Sequence, residues 1–250
     1  MSKALTGVRA FVLGGTRGIG RAISAELAEA GADVAAGYVS RDDVADETRA
    51  LIEDAGGRCA LVRGDAGVDS AALVHQAAAE LGGLDAFVAC AVTPVRGSIL
   101  ELTPHDFERS MRLNAAPFLF GAAAAATHMH DGGRIVGISS TGTHRPRNLA
   151  YAPLALAKGA VEAGARFLAA ELAPRQIAVN IVAPGPTDTE AFDAMAEDAA
   201  ALKQRLAGRT PMGRLSEPAD AARLVAFLCS PAAGWVTGQL MFSDGGYSLL

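Results

Sequence analysis

Between an apolar run ending at Leu13 and an alanine-rich run beginning at Arg21 stand Gly14-Gly15-Thr16-Arg17-Gly18-Ile19-Gly20. No other segment constrains the chain as strongly. A strand that turns at once into a helix through residues lacking Cβ atoms brings backbone N–H groups and the positive end of a helix dipole to one point, where a pyrophosphate fits. The turn is also the first junction of a longer pattern. Short apolar runs lie at about 8–13, 33–38, 58–62, 84–89, 133–138, 177–182 and 239–242. Between them are longer Ala/Leu/charged stretches at about 18–30, 42–55, 69–81, 104–129, 153–173 and 217–229, with another near 190–207. Apolar strands alternating with helices predict an α/β chain built on a doubly wound parallel sheet covered on both faces. With no linker and no repeat, residues 1–250 read as a single domain.

Composition narrows the class of partner. The 250 residues carry 22 Lys+Arg against 27 Asp+Glu, a net charge of −5, which argues against a nucleic-acid surface. Cys59, Cys90 and Cys229 are far apart and odd in number, the usage of a reducing cytoplasm rather than of a disulfide scaffold or thiol–metal motif. Met1-Ser2-Lys3 leads into no long apolar stretch, so no secretory signal is expected. The longest apolar run, 115–126, is too short to span a bilayer. His128 and His130 diverge on a helix, so no metal pair is expected.

In the glycine turn, Gly14, Thr16, Arg17, Gly18, Ile19 and Gly20 are the candidate phosphate cradle. The second strand ends Gly37-Tyr38-Val39-Ser40-Arg41, without the carboxylate that accepts a ribose 2′-hydroxyl in NAD-selective sites. Arg17, Ser40 and Arg41 are placed to converge on a 2′-phosphate, so the expected cofactor is NADP(H).

These residues, with several downstream, resemble the short-chain dehydrogenase/reductase family over nearly the whole chain. The matching segments are Gly64-Asp65-Ala66, Asn114 in a long helix, Ile138-Ser139-Ser140, Val179-Asn180-Ile181-Val182-Ala183-Pro184-Gly185, Pro211-Met212-Gly213-Arg214, Thr237-Gly238-Gln239 and Asp244-Gly245-Gly246. The resemblance implies a Rossmann fold, with Asp65 and Ala66 at the adenine ring. It also implies Pro184, Gly185, Thr187 and Thr189 at the nicotinamide and pyrophosphate end. Two departures concern the cofactor floor: Leu13 replaces the family's usual threonine, and Ala89-Cys90-Ala91-Val92 replaces its Asn-Asn-Ala-Gly. Cys90 is then expected to act as a small buried hydrophobe.

A third departure bears on function. Lys158 falls at the family's lysine position, but the residue four before it is Leu154, which has no proton to give. Tyr151 stands seven before it, and Tyr-x6-Lys is similar to the active-site pair of enoyl-acyl-carrier-protein reductases, most like the NADPH-dependent type III enzymes. The longer spacing has a physical reason. A ketone takes hydride on the carbon adjacent to the protonated oxygen, whereas a 2-enoyl thioester takes it at C3 while charge develops on the distant thioester oxygen. On an ideal helix four residues span about 6 Å and seven about 10.5 Å, and both return to nearly one face. Pro153 suits a first helical turn, placing Tyr151 just before the helix.

On this reading Tyr151 binds the developing oxyanion. Lys158 holds the nicotinamide ribose and supplies positive charge. Ser140 or Ser139 supports the carbonyl, or either satisfies the strand end. Asn114 orders water toward Lys158, as the resemblance implies, or bonds a helix carbonyl near Pro117. His144, Arg145 and Arg147 meet a carrier phosphate, or are solvated loop charge. The expected substrate is a small acyl thioester on coenzyme A or presented by acyl carrier protein, in fatty-acid or specialised-metabolite synthesis. No nucleic-acid or membrane partner is expected, and the resemblance implies a homo-oligomer, dimer or tetramer. A carbonyl reductase or alcohol dehydrogenase is the rival enzymatic reading. A non-catalytic NADP-binding protein is the third, motivated by Leu13, Leu154 and the lost amides.

Overall fold

The computed structural model of the chain describes residues 3–193 and 198–250. In chain order its elements are β1 (Arg9–Leu13), α1 (Gly18–Glu29), β2 (Asp33–Tyr38), α2 (Asp42–Asp54), β3 (Cys59–Arg63), α3 (Ala66–Leu81), β4 (Ala86–Ala89) and α4 (Pro104–Asn114). Then follow α5 (Ala116–His128), β5 (Arg134–Ile138), α6 (Ala152–Leu172), β6 (Ala178–Pro184), α7 (Glu190–Asp193), α8 (Ala199–Ala207), α9 (Pro218–Cys229) and β7 (Leu240–Ser243).

Alternation along β1 sends Phe11 and Leu13 into one apolar layer and Ala10 and Val12 into the other, all buried. A strand apolar on both faces has to lie inside a sheet that is covered twice. The sheet is parallel, in the order β3-β2-β1-β4-β5-β6-β7. Residues of α3, α5 and α6 pack on the Phe11 side, and residues of α1, α2 and α9 on the Val12 side. Phe11 and Phe87, opposite each other in the β1–β4 register, bring their rings to 5.9 Å. This is the Rossmann fold that the alternation predicts. After β3 the chain returns to the middle and winds the other way, leaving a crevice at the carboxyl ends of β1 and β4.

Two helices differ from expectation. The stretch 104–129, read as one helix, is α4 and α5, broken at Ala115. Pro117 sits in the first turn of α5, where its missing N–H costs no helical bond. Asn114 therefore ends a helix rather than lying within one. The helix expected from 69 begins at Ala66 and kinks at Asp69, whose carboxylate caps the Ala72 N–H. Of the stretch 190–207, the described parts are α7 and α8, and 194–197 lie outside the described residues. No helix among the described residues is long and apolar enough to cross a membrane.

Candidate active site

A cavity of about 1710 Å³ runs along the carboxyl ends of the central strands. At its first end lies the glycine turn, with Gly14, Thr16, Arg17, Gly18, Ile19 and Gly20 all in the wall. Gly14 has φ +80, and a Cβ there would meet the Ala91 backbone at 2.8 Å. A Cβ on Gly20 would lie 1.9 Å from the Gly14 carbonyl oxygen. Only glycines allow this close approach. Arg17 caps α1 with no side-chain bond to its open N–H groups, and the first turn holds no acid. A helix end left open in this way, at a bare-backbone turn, fits a pyrophosphate. The hydroxyl missing at Leu13 is replaced from elsewhere: Ser24 Oγ donates to the Gly15 carbonyl at 2.9 Å and Thr48 Oγ1 to that of Thr16 at 3.1 Å.

Ser40, Asp65 and Ala66 line the same end. Asp65 accepts the Gly67 N–H at 2.8 Å, capping α3. Arg41 does not join them. It sits at φ +70 ahead of α2, outside the wall, and its guanidinium grips Asp43 at 2.9 Å. Arg17 and Ser40 thus share the wall, while Arg41 stands apart from it, paired with Asp43. Among the described residues Arg17 makes no ion pair.

Pro184 ends β6, Gly185, Thr187 and Thr189 follow it, and all four line the far side of the cavity. Lys158 reaches the floor from α6 and is buried, its Nζ donating to the Ile138 carbonyl at 2.7 Å. Burial lowers its pKa from 10.5 to about 8, against the opposing pull of Cys90 and Glu162. Burial likewise pushes the Cys90 thiol up to about 11, so it stays protonated and apolar at neutral pH.

Tyr151 stands just ahead of α6, half-buried in the cavity wall, and Pro153 follows in the first turn. Leu154 shares that wall and is buried. Burial raises the Tyr151 pKa, while the charge of Arg96 and its hydrogen bond to the phenol act the other way. Arg96 was not among the residues singled out from sequence. It comes from the loop after β4, which meets Tyr151 through a bridge at Gly97 and a 2.9 Å bond from the Gly97 N–H to the Ala150 carbonyl. Because the pairing is between two loops, no local pattern announces it.

Ser140 lines the cavity, and its Oγ accepts the Gly142 N–H at 3.1 Å, so it braces the strand end. Ser139 turns to Glu162. Asn114 is absent from the wall. Its amide accepts the Thr93 N–H at 2.9 Å and donates to the Thr93 carbonyl at 2.9 Å and the Ser110 carbonyl at 3.2 Å. One amide bond and the accepting oxygen thus hold Thr93, just after the segment where the family's Asn-Asn-Ala-Gly is missing, and the other amide bond returns to α4. His144 pairs with Glu162 at 2.9 Å. Arg145 donates to the Ser248 carbonyl at 2.7 Å, and Arg147 lies 4.8 Å over the Tyr247 ring, so both tie the mouth to the C-terminal segment.

The family model described as Enoyl-(Acyl carrier protein) reductase matches residues 14–248. A 1-cyclohexenylcarbonyl-CoA reductase of Streptomyces collinus is 35% identical over 243 residues, 96% of this chain and 86% of that protein. A short-chain dehydrogenase/reductase from Serratia marcescens superposes with a TM-score of 0.90 at 36% identity, covering 98% of this chain and 99% of its own. The angucycline C-6 ketoreductase LanV with bound NADP also gives 0.90 at 36% identity, covering 100% and 99%.

Proposed function

The chain belongs to the short-chain dehydrogenase/reductase family, and from that premise we propose that it is an NADPH-dependent reductase of a 2-enoyl thioester. One observation carries the substrate assignment. The cavity wall holds a phenol at Tyr151 and a buried leucine at 154, where the family's ketone reductases hold their tyrosine. NADPH, when bound, supplies the hydride that goes to C3.

The glycine turn and the N-terminus of α1 hold the pyrophosphate, and Arg17 with Ser40 receive the 2′-phosphate. Lys158 engages the ribose and contributes positive charge. Tyr151 donates its O–H to the thioester oxygen as negative charge gathers there. Arg96, donating to the same phenol, leaves that proton directed at substrate and adds a second positive charge near the oxyanion. Leu154 keeps the region beside C3 dry and without a proton donor. Ser140 supports the loop that carries these groups, and Asn114 holds the opposite one. Arg205 and Arg209 join Arg147 at the cavity mouth, a basic surface suited to a phosphate-bearing carrier.

Carbonyl reduction is the second reading, supported by the similarity to the ketoreductase LanV. NADPH consumption with crotonyl- and acetoacetyl-thioesters, measured side by side, separates the two. The expected result is reduction of the crotonyl substrate, falling about 10²–10³-fold in Tyr151→Phe because one oxyanion donor is lost. Reduction of acetoacetyl- but not crotonyl-thioester rejects the enoyl assignment. A Tyr151→Phe variant within about threefold of the parent rejects the role of the phenol.

A further inference from the structure

Glu162 takes no part in the steps above, yet its carboxylate is buried in the same wall. It stands one helical turn after Lys158 on the same face of α6. One oxygen accepts from Ser139 Oγ at 2.5 Å and from Thr143 Oγ1 at 2.8 Å, and the other pairs with His144 Nε2 at 2.9 Å. His144 is itself half-exposed and packs edge-on against Phe242 of β7. Three partners from the segment after β5 thus hold the carboxylate away from solvent. Burying a carboxylate is unfavourable unless it is hydrogen-bonded, and these three partners supply those bonds.

Lys158 presents the matching problem. Its ammonium is buried with one carbonyl acceptor, and the titratable groups facing it are Cys90 at the end of β4 and Glu162 on its own helix. The Cys90 thiol is neutral at neutral pH, so the compensating charge falls to the carboxylate. We propose that Glu162 is the fixed counter-charge that keeps Lys158 protonated, a positioning residue that sets the pH range over which the site works. The proposal rests on the reading of Lys158 as a cofactor-binding cation, but its first test needs neither substrate nor cofactor.

That test compares unfolding free energy with and without the lysine, using the parent protein against Lys158→Met across pH 6–10. A folded-state pKa of about 8 against an ordinary 10.5 means that the unfolded chain binds the extra proton between those values. The lysine's burden on stability is therefore full below about pH 8 and is relieved as pH rises. In Glu162→Gln the relief should begin about one pH unit lower, because the neutral amide no longer favours the ammonium. The alkaline limb of turnover should move the same way, and Glu162→Asp should restore part of the shift. A midpoint unmoved within about 0.3 pH unit would overturn the proposal and leave Glu162 a brace for residues 139–144. Should Glu162→Gln fail to fold, Glu162→Gln with Lys158→Met decides. Folding of the double variant supports the counter-charge, and its failure to fold also assigns the bracing role. A moved stability window in a protein that reduces no thioester would reject the enoyl reading and keep this one.

Discussion

Arg17 and Arg41 carry the same charge, but only Arg17 lies in the cavity wall, and their surroundings differ. Arg41 is tied to Asp43 by two of its nitrogens, and the pair is already neutral as a unit. Arg17 lies in the wall beside the open start of α1, whose first turn holds no acid, and makes no ion pair among the described residues. Arg17→Ala should therefore weaken NADPH binding about tenfold, or about 1.4 kcal/mol, and leave NADH nearly unchanged. Arg41→Ala should stay within about twofold for both, because removing it only releases an exposed carboxylate. Titration calorimetry of both variants with both cofactors checks this, and equal losses for the two arginines would favour a site on which both converge. The same contrast between type and placement governs Tyr151 and Leu154. Each is set by its own step along the start of α6, and their exchange relative to the family's pattern is visible as spacing alone.

At the scale of elements, the site depends on two loops that do not belong to any regular structure. The loop after β4 carries Arg96 and is pinned at one end by Asn114 and at the other by its bridge to Tyr151. Ending α4 at Asn114 is what frees that side chain to reach Thr93, and the break before α5 is what allows α4 to lean on α6. There Ser110 Oγ donates to the Pro153 carbonyl at 2.8 Å, fixing the first turn after Tyr151. Asn114→Ala should cost about 1–3 kcal/mol, since a buried amide loses its bonds and the loop its anchor. For a chain of this length that is a drop of about 3–9 °C in thermal midpoint. Calorimetric melting measures it, and a midpoint unchanged within 1–2 °C, as about the resolution of such a scan, rejects the anchoring role.

At the scale of the whole molecule, the faces of α4, α5 and α6 away from the sheet leave Phe107, Phe120, Phe167 and Leu156 exposed, with Phe120 at 64% and Phe167 at 72%. Large aromatics on neighbouring helices are the surface a second copy of the chain would cover. The expected mass in light scattering is that of a dimer or tetramer, reduced by Phe120→Asp with Phe167→Asp, and a monomeric parent protein would reject self-association through this face. The sequence by itself determined the sheet, because a period of two with both phases apolar admits only a doubly covered strand. It also determined the glycine turn between β1 and α1, because glycines at a strand–helix junction act through local backbone geometry. The Tyr-x6-Lys spacing was legible for the same reason. Tertiary structure alone decided which polar side chains are free to act. It gave Arg41 to Asp43, Asn114 to Thr93, and Ser139 and His144 to Glu162, and it brought Arg96 to Tyr151. These are contacts between loops and helices distant along the chain, where burial and hydrogen-bond geometry choose the partner, and neither periodicity nor motif spacing records that choice.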